Sequence, residues 1–338
     1  MGSLSNSGPI HAPAWQEFLA ELGDPLLMVG TTVESLYDNS HANIKTLLSK
    51  YTFPAADSSI ATEDITLKED GVWVRIYTPP ASSSPSESKK ANNVTVFMHG
   101  GGWIMGSVHH EDLAVRKICK ETGNTVVSIG YRLAPKYKFP AGLEDCLHAT
   151  LWTLDRFKDV TDSVVLMGGS AGANLAFGVA LKLLESGLRD KFKGVHALVP
   201  ATIHPDAVPA DKREKFTAYE ENAVATVNTL AAMKCFLDSY APPPTDPYFS
   251  VLLHPRIGEL KKVYIVECGA DTLRDDARLM RDALLDEKEK EKGVEVRYDA
   301  YPGFPHYFWS YPAKCLERDS GLFHENMYRA LGWIHGDE

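Results

Sequence analysis

From Val94 onward the sequence predicts an α/β chain, with a mostly parallel central sheet covered by helices on both faces. Three observations carry that reading. Short β-branched runs alternate with helix-period segments, the order that lays a crossover helix between parallel strands. The central run Val164–Met167 is wholly apolar, as a strand buried on both faces should be. With 338 residues, 44% of them hydrophobic, the chain can bury a large core, and it suits one large domain with an insertion about as well as two domains.

The first fifty or so residues are helical in pattern. Pro13 opens a segment in which Trp15, Phe18, Leu19 and Leu22 form one apolar stripe. Such a stripe either packs on the main core or caps a pocket, and residues 1–55 are read as a helical cap segment ahead of a core at 56–338. Ala61 to Leu67 and Val72 to Tyr77 read as a hairpin turning at Asp70-Gly71. The polar stretch from Ala81 to Asn93 reads as a solvated loop. Strands are predicted at Val94–Met98, Thr125–Ile129, Val164–Met167, Val195–Val199, Lys262–Glu267 and Val294–Tyr298. Helices are predicted at about His110–Thr122, Ala141–Phe157, Thr272–Leu285 and Glu325–Trp333, with a charged helix end at Asp286–Lys292. The stretch 205–244 breaks the alternation with a helix near Asn222–Tyr240 and then three prolines. It is positioned to join the cap.

The chemistry centres on Gly168-Gly169-Ser170-Ala171-Gly172, a G-x-S-x-G sequence between a strand run and an alanine-rich helix. A sharp strand-to-helix turn strains its middle residue and needs small neighbours. It exposes the Ser170 hydroxyl beside the Ala171 amide at a helix N-terminus. Ser170 is the candidate nucleophile. His99-Gly100-Gly101-Gly102-Trp103 ends the strand at Met98, and its bare backbone can aim amides at an oxyanion. No Lys-Ser/Thr follows, so it is not a phosphate loop. His306 lies in an aromatic loop, Tyr301 to Phe308, after the last strand, and has the best context of the twelve histidines. Asp271, in Gly269-Ala270-Asp271 after a strand, completes the order Ser, Asp, His. Asp275 and Asp276 are the competing acids, expected inside the next helix and facing solvent or Arg274 and Arg278. Trp103, Phe304, Tyr307 and Phe308 suggest an apolar substrate pocket, suited to short acyl chains. Arg132 with Glu144-Asp145 reads as a structural clamp bracing a loop. His99, His109 and His110 lack the acidic or thiol partners of a metal site, so no metal is expected.

Composition excludes other classes. A formal charge of −10 and a pI near 5.7 argue against nucleic acid and anionic membrane as partners. Five scattered cysteines without a C-x-x-C pattern suit reduced thiols. There is no signal-peptide pattern, no apolar run of membrane-spanning length, and Asn6 breaks the myristoylation pattern begun by Met1-Gly2. A cytoplasmic protein is expected.

HGGGW, YRLAP…FPA, GGSAGAN, GADTLRDD and YPGFPHYF occur in the order and spacing of the hormone-sensitive-lipase-like esterases, and residues 60–335 resemble that family. The resemblance implies an α/β-hydrolase fold with a helical cap and hydrolysis of a small to medium apolar carboxylic ester through an acyl-serine, without a cofactor. It implies Ser170 as nucleophile, His306 as base, Asp271 as orienting acid, and the amides of Gly101, Gly102 and Ala171 as oxyanion donors. The expected partner is a small-molecule ester, with a homodimer compatible with the family. Two positions depart from the family: Gly169 stands where Asp is usual, and Tyr307-Phe308 where Gly-Phe is usual. An acyltransferase or cyclase, or a non-catalytic small-molecule receptor, are the alternatives on the same scaffold.

Overall fold

The computed structural model describes residues 10–23, 25–80, 93–224 and 227–337. Most of the polar stretch at 81–93 therefore lies outside the described residues. Eight strands form one sheet in the order β1-β2-β4-β3-β5-β6-β7-β8. They are β1 Ala61–Lys68, β2 Val72–Thr78, β3 Val94–Met98, β4 Thr125–Gly130, β5 Val164–Gly169, β6 Phe192–Leu198, β7 Lys262–Cys268 and β8 Glu295–Tyr301. The β1–β2 and β2–β4 pairs are antiparallel and the others parallel.

Every residue of β3, β4 and β5 is buried, as the unbroken apolar runs require of central parallel strands. Because successive side chains point to opposite faces, each strand feeds two cores. Leu166 and Val195 join one apolar cluster, while Val165, Met167 and Tyr264 join the other. The first cluster takes helices α4 (Ala141–Arg156), α5 (Ala171–Glu185) and α8 (Arg274–Leu284), through residues such as Leu143, Val179 and Met280. The second takes α1 (Pro13–Leu22), α3 (Asp112–Thr122) and α10 (Glu317–His335), through Phe18, Ile118 and Phe323. The α1 stripe thus packs on the main core: Trp15 and Phe18 lie against Tyr311, with ring centroids 5.4 and 5.2 Å away.

Helix α2 (Val33–Lys50) follows a capping box between Thr32 and Ser35. Of the predicted helix at 222–240 only the later part forms, as α7 (Leu230–Tyr240), and a separate short helix, α6 (Ala218–Glu221), ends just before that range. Between them the backbone is engaged elsewhere. Met28 N–H donates to the Val227 carbonyl at 2.7 Å, and the Thr229 hydroxyl donates to the Met28 carbonyl at 2.5 Å. These bonds tie the N-terminal segment to the insertion. The last helix starts eight residues earlier than its apolar pattern suggested, because Glu317–Gly321 continues the helix without an apolar stripe. Strand β8 runs on to Tyr301 by pairing Asp299, Ala300 and Tyr301 with Val266, Glu267 and Cys268. A short helix, α9 (Glu287–Lys290), forms the charged helix end.

Candidate active site

Ser170 sits between β5 and α5 at φ 55°, ψ −121°, a conformation rare for a side-chain-bearing residue. The turn is tight enough to demand glycine on both sides. A Cβ on Gly168 would lie 2.3 Å from the Gly172 carbonyl carbon, and one on Gly172 would lie 2.0 Å from the Met98 oxygen. The Ser170 N–H donates to the Leu198 carbonyl at 2.8 Å, so β6 holds the turn. Ala171 then opens α5, whose first amides are free of intrahelical partners.

His306 and Asp271 come together at the carboxyl edge of the sheet, on the loops after β8 and β7. Nδ1 of His306 and Oδ2 of Asp271 are 2.6 Å apart, and both side chains are buried. The second Asp271 oxygen accepts the Leu273 N–H at 3.0 Å, and its carbonyl accepts from the Asn222 side chain at 2.9 Å. With Nδ1–H directed at the carboxylate, Nε2 is left as the acceptor. The two loops pack closely enough that a Cβ on Gly269 would lie 2.7 Å from Gly303 N.

The third loop carries the glycines. Gly101 and Gly102 have φ of 116° and 59°, and a Cβ on Gly101 would meet the Met105 carbonyl oxygen at 2.1 Å. A Cβ on Gly102 would meet the Phe236 ring of α7 at 2.4 Å, so the insertion lies directly over this loop. His99 fixes the loop from behind. Its Nδ1 lies 2.8 Å from the Gly100 carbonyl, its ring stacks on Tyr131, and the Tyr131 hydroxyl donates to the His99 carbonyl at 2.9 Å. Burial pushes His99 down to about 4, so the ring is neutral near pH 7 and Nδ1 is the donor. His110 bonds Ser107 instead, and His109 lies near Arg75.

The other predicted residues divide. Trp103 is buried and stacks flat on Tyr240 at 5.1 Å. Phe308 has no exposed surface and Phe304 little. Their ring centroids lie 4.2 Å apart at a tilt, in the second apolar cluster. Tyr307 is half-buried and reaches across to Gly100 and Gly169. Arg132 grips Asp145 with two bonds of 2.7 Å and is the expected structural clamp.

Asp275 and Asp276 require a correction, since neither faces solvent. Asp275 does pair with Arg274 at 2.7 Å, but it also accepts the N–H groups of Thr217 and Ala218, anchoring the start of α6. Asp276 is buried and accepts the N–H groups of Thr202 and Ile203 at 2.7 and 3.1 Å. Burial raises it to about 8, with the Asp275 and Asp271 charges adding to the effect. One residue had no signal in the sequence. Burial pushes Glu111 up to about 7, against the opposing influence of the nearby Gly100 backbone.

The α/β-hydrolase family profile matches residues 95–310, and the chain belongs to that family, in its hormone-sensitive-lipase-like branch. It is similar to an FAD-linked oxidoreductase, pytB, of Aspergillus terreus, 62% identical over 304 residues. Those residues are 90% of this chain but 36% of that one, so the chain spans about a third of that relative's length. A versiconal hemiacetal acetate esterase of Aspergillus parasiticus is 45% identical over 326 residues, covering 96% of this chain and 99% of its own. Among solved structures, a vibralactone cyclase superposes with a TM-score of 0.79 at 27% identity, over 100% of this chain and 98% of its own. No described helix is long and apolar enough to cross a membrane.

Proposed function

We propose that this chain is a serine carboxylesterase that cleaves esters of short acyl groups through an acyl-Ser170 intermediate. The single observation that carries the mechanism is the buried 2.6 Å His306–Asp271 pair, on the same sheet edge as a strained serine turn. Ser170 Oγ attacks the ester carbonyl while His306 Nε2 takes its proton. Asp271 holds the tautomer and stabilises the imidazolium, and the Gly101, Gly102 and Ala171 amides receive the oxyanion. His306 then protonates the leaving alkoxide, and water repeats the sequence to release the acid. The part of the N-terminal segment beyond α1 joins the insertion at 205–244 as a cap, a reading supported by the Met28–Val227 and Met28–Thr229 bonds. The acetate ester named for the Aspergillus parasiticus relative supports a small acyl group. Five free cysteines suit a cytoplasmic setting.

The similarity to a cyclase supports a second reading, in which a hydroxyl of the substrate, not water, takes the acyl group. Turnover in ¹⁸O-water separates the two, since only hydrolysis labels the acid. Ser170→Ala tests the serine itself. The folded variant is expected to keep less than about a hundredth of wild-type kcat and to lose labelling by a fluorophosphonate. Retained turnover contradicts the covalent route.

A further inference from the structure

Gly169 stands directly before Ser170, and nothing in its own backbone calls for glycine. Its φ lies outside the left-handed region, unlike those of Gly101 and Gly102. What excludes a side chain is one residue. A Cβ on Gly169 would lie 1.9 Å from the Tyr307 hydroxyl oxygen, 2.8 Å from Cζ and 3.6 Å from Cε1, and these are its three nearest atoms. The same hydroxyl would lie 2.8 Å from a Cβ on Gly100, which itself would be 3.2 Å from the Gly169 carbonyl oxygen. The Tyr307 phenol therefore sits where the serine turn and the glycine loop meet. Its own backbone belongs to the loop after β8, immediately after His306.

Tyr307 also adopts φ 56°, ψ 31°, a left-handed conformation that a bulky aromatic rarely takes. The surrounding structure holds it there. Strain of this kind persists where the side chain's placement is over-determined. The ring packs between its neighbours, 4.9 Å from His306 and 5.0 Å from Trp309.

We propose that Tyr307 is a positioning residue, a wedge whose phenol sets the glycine loop, the serine turn and the His306 loop in register with one another. The proposal rests on Ser170 as nucleophile and adds what holds the oxyanion donors at the right distance from it. Tyr307 acts through the backbone of Gly100, next to the donor Gly101, and of Gly169, next to Ser170. A glycine at 169 and a tyrosine at 307 are then two halves of one fit.

The test is a double-mutant cycle on the full chain, with kcat, KM and Tm read for each protein. Gly169→Ala drives a methyl into the phenol, so the ring or the serine turn must give way. Its kcat is expected to fall about a hundredfold, with KM within about threefold of wild type. Tyr307→Gly suits φ 56° and folds, but frees the loops, so kcat falls about tenfold. Combined with Gly169→Ala, it is expected to raise kcat at least about tenfold above Gly169→Ala alone. Losses that simply multiply, or an unaffected Gly169→Ala, overturn the wedge. Should Gly169→Ala fail to fold, Tyr307→Phe removes the contacting oxygen alone. Its kcat is expected to fall about fivefold or more at constant KM, and an unchanged kcat overturns the proposal. Fluorophosphonate labelling of the wild type separates this failure from that of the nucleophile assignment. A chain that labels yet shows no coupling loses only the wedge, and one that does not label loses both.

Discussion

At the scale of single residues, three carboxyl groups within six positions do different work because their surroundings differ. Asp271 faces His306, Asp275 faces Arg274 and the start of α6, and Asp276 faces two backbone N–H groups in a buried pocket. Asp271→Asn keeps the shape but favours the wrong imidazole tautomer and leaves the imidazolium unpaired, so kcat is expected to fall by about 10⁴. Asp276 predicts a pH effect on stability instead. An unfolded aspartate titrates near 4, whereas Asp276 in the fold titrates at about 8. Between those values the folded chain holds a proton that the unfolded chain has lost, so this group's contribution falls as pH rises from about 4 to about 8. Asp276→Asn keeps an oxygen for Thr202 and Ile203 and cannot ionise. Its Tm is expected to lose that decline and to exceed the wild type's above pH 8. Parallel curves for the two proteins would show that Asp276 contributes no such titration. The place of Asp271 after a strand and the nearness of Asp275 to Arg274 were legible in the sequence, but the burial of Asp276 was not, because its partners Thr202 and Ile203 come from a distant segment.

At the scale of elements, the strand–turn–helix around Ser170 was legible because its constraints are local. Gly168 and Gly172 must be bare so that β5, β3 and α5 can approach, and a five-residue window carries that information. The break between α6 and α7 was not legible. Its partners are remote in sequence: Asn222 turns its amide to Asp271, and Val227 and Thr229 bond to Met28 far back in the chain. Contacts so distant leave no mark in a local pattern. Two glycine substitutions show the difference between a demanded glycine and a tolerated one. Gly172→Ala places its methyl 2.0 Å from the Met98 carbonyl oxygen, a backbone atom that cannot yield, and is expected to destabilise by about 3 kcal/mol or more. Gly321→Ala, in α10 with no atom within 4 Å of the new Cβ, is expected to stabilise by about 0.5–1 kcal/mol. Urea titrations of both variants check the contrast, and equal effects would contradict the packing described here.

At the scale of the whole molecule, one sheet presents Ser170 after β5, Asp271 after β7, His306 after β8 and the glycine loop after β3 at its carboxyl edge. Those four loops are distant in sequence, and in the proposed reaction each carries a separate part. The insertion was legible only as an interruption, since its contacts with the N-terminal segment and with Gly102 depend on how that segment returns to it. The central claim is that an ester passes its acyl group to Ser170. The direct measurement is intact-mass spectrometry of the chain quenched during turnover of a slowly deacylating ester, followed by peptide mapping. The account predicts a mass increase of one acyl group, carried by Ser170 and absent from Ser170→Ala. Turnover with no acylated species, or an adduct on another residue, would contradict it.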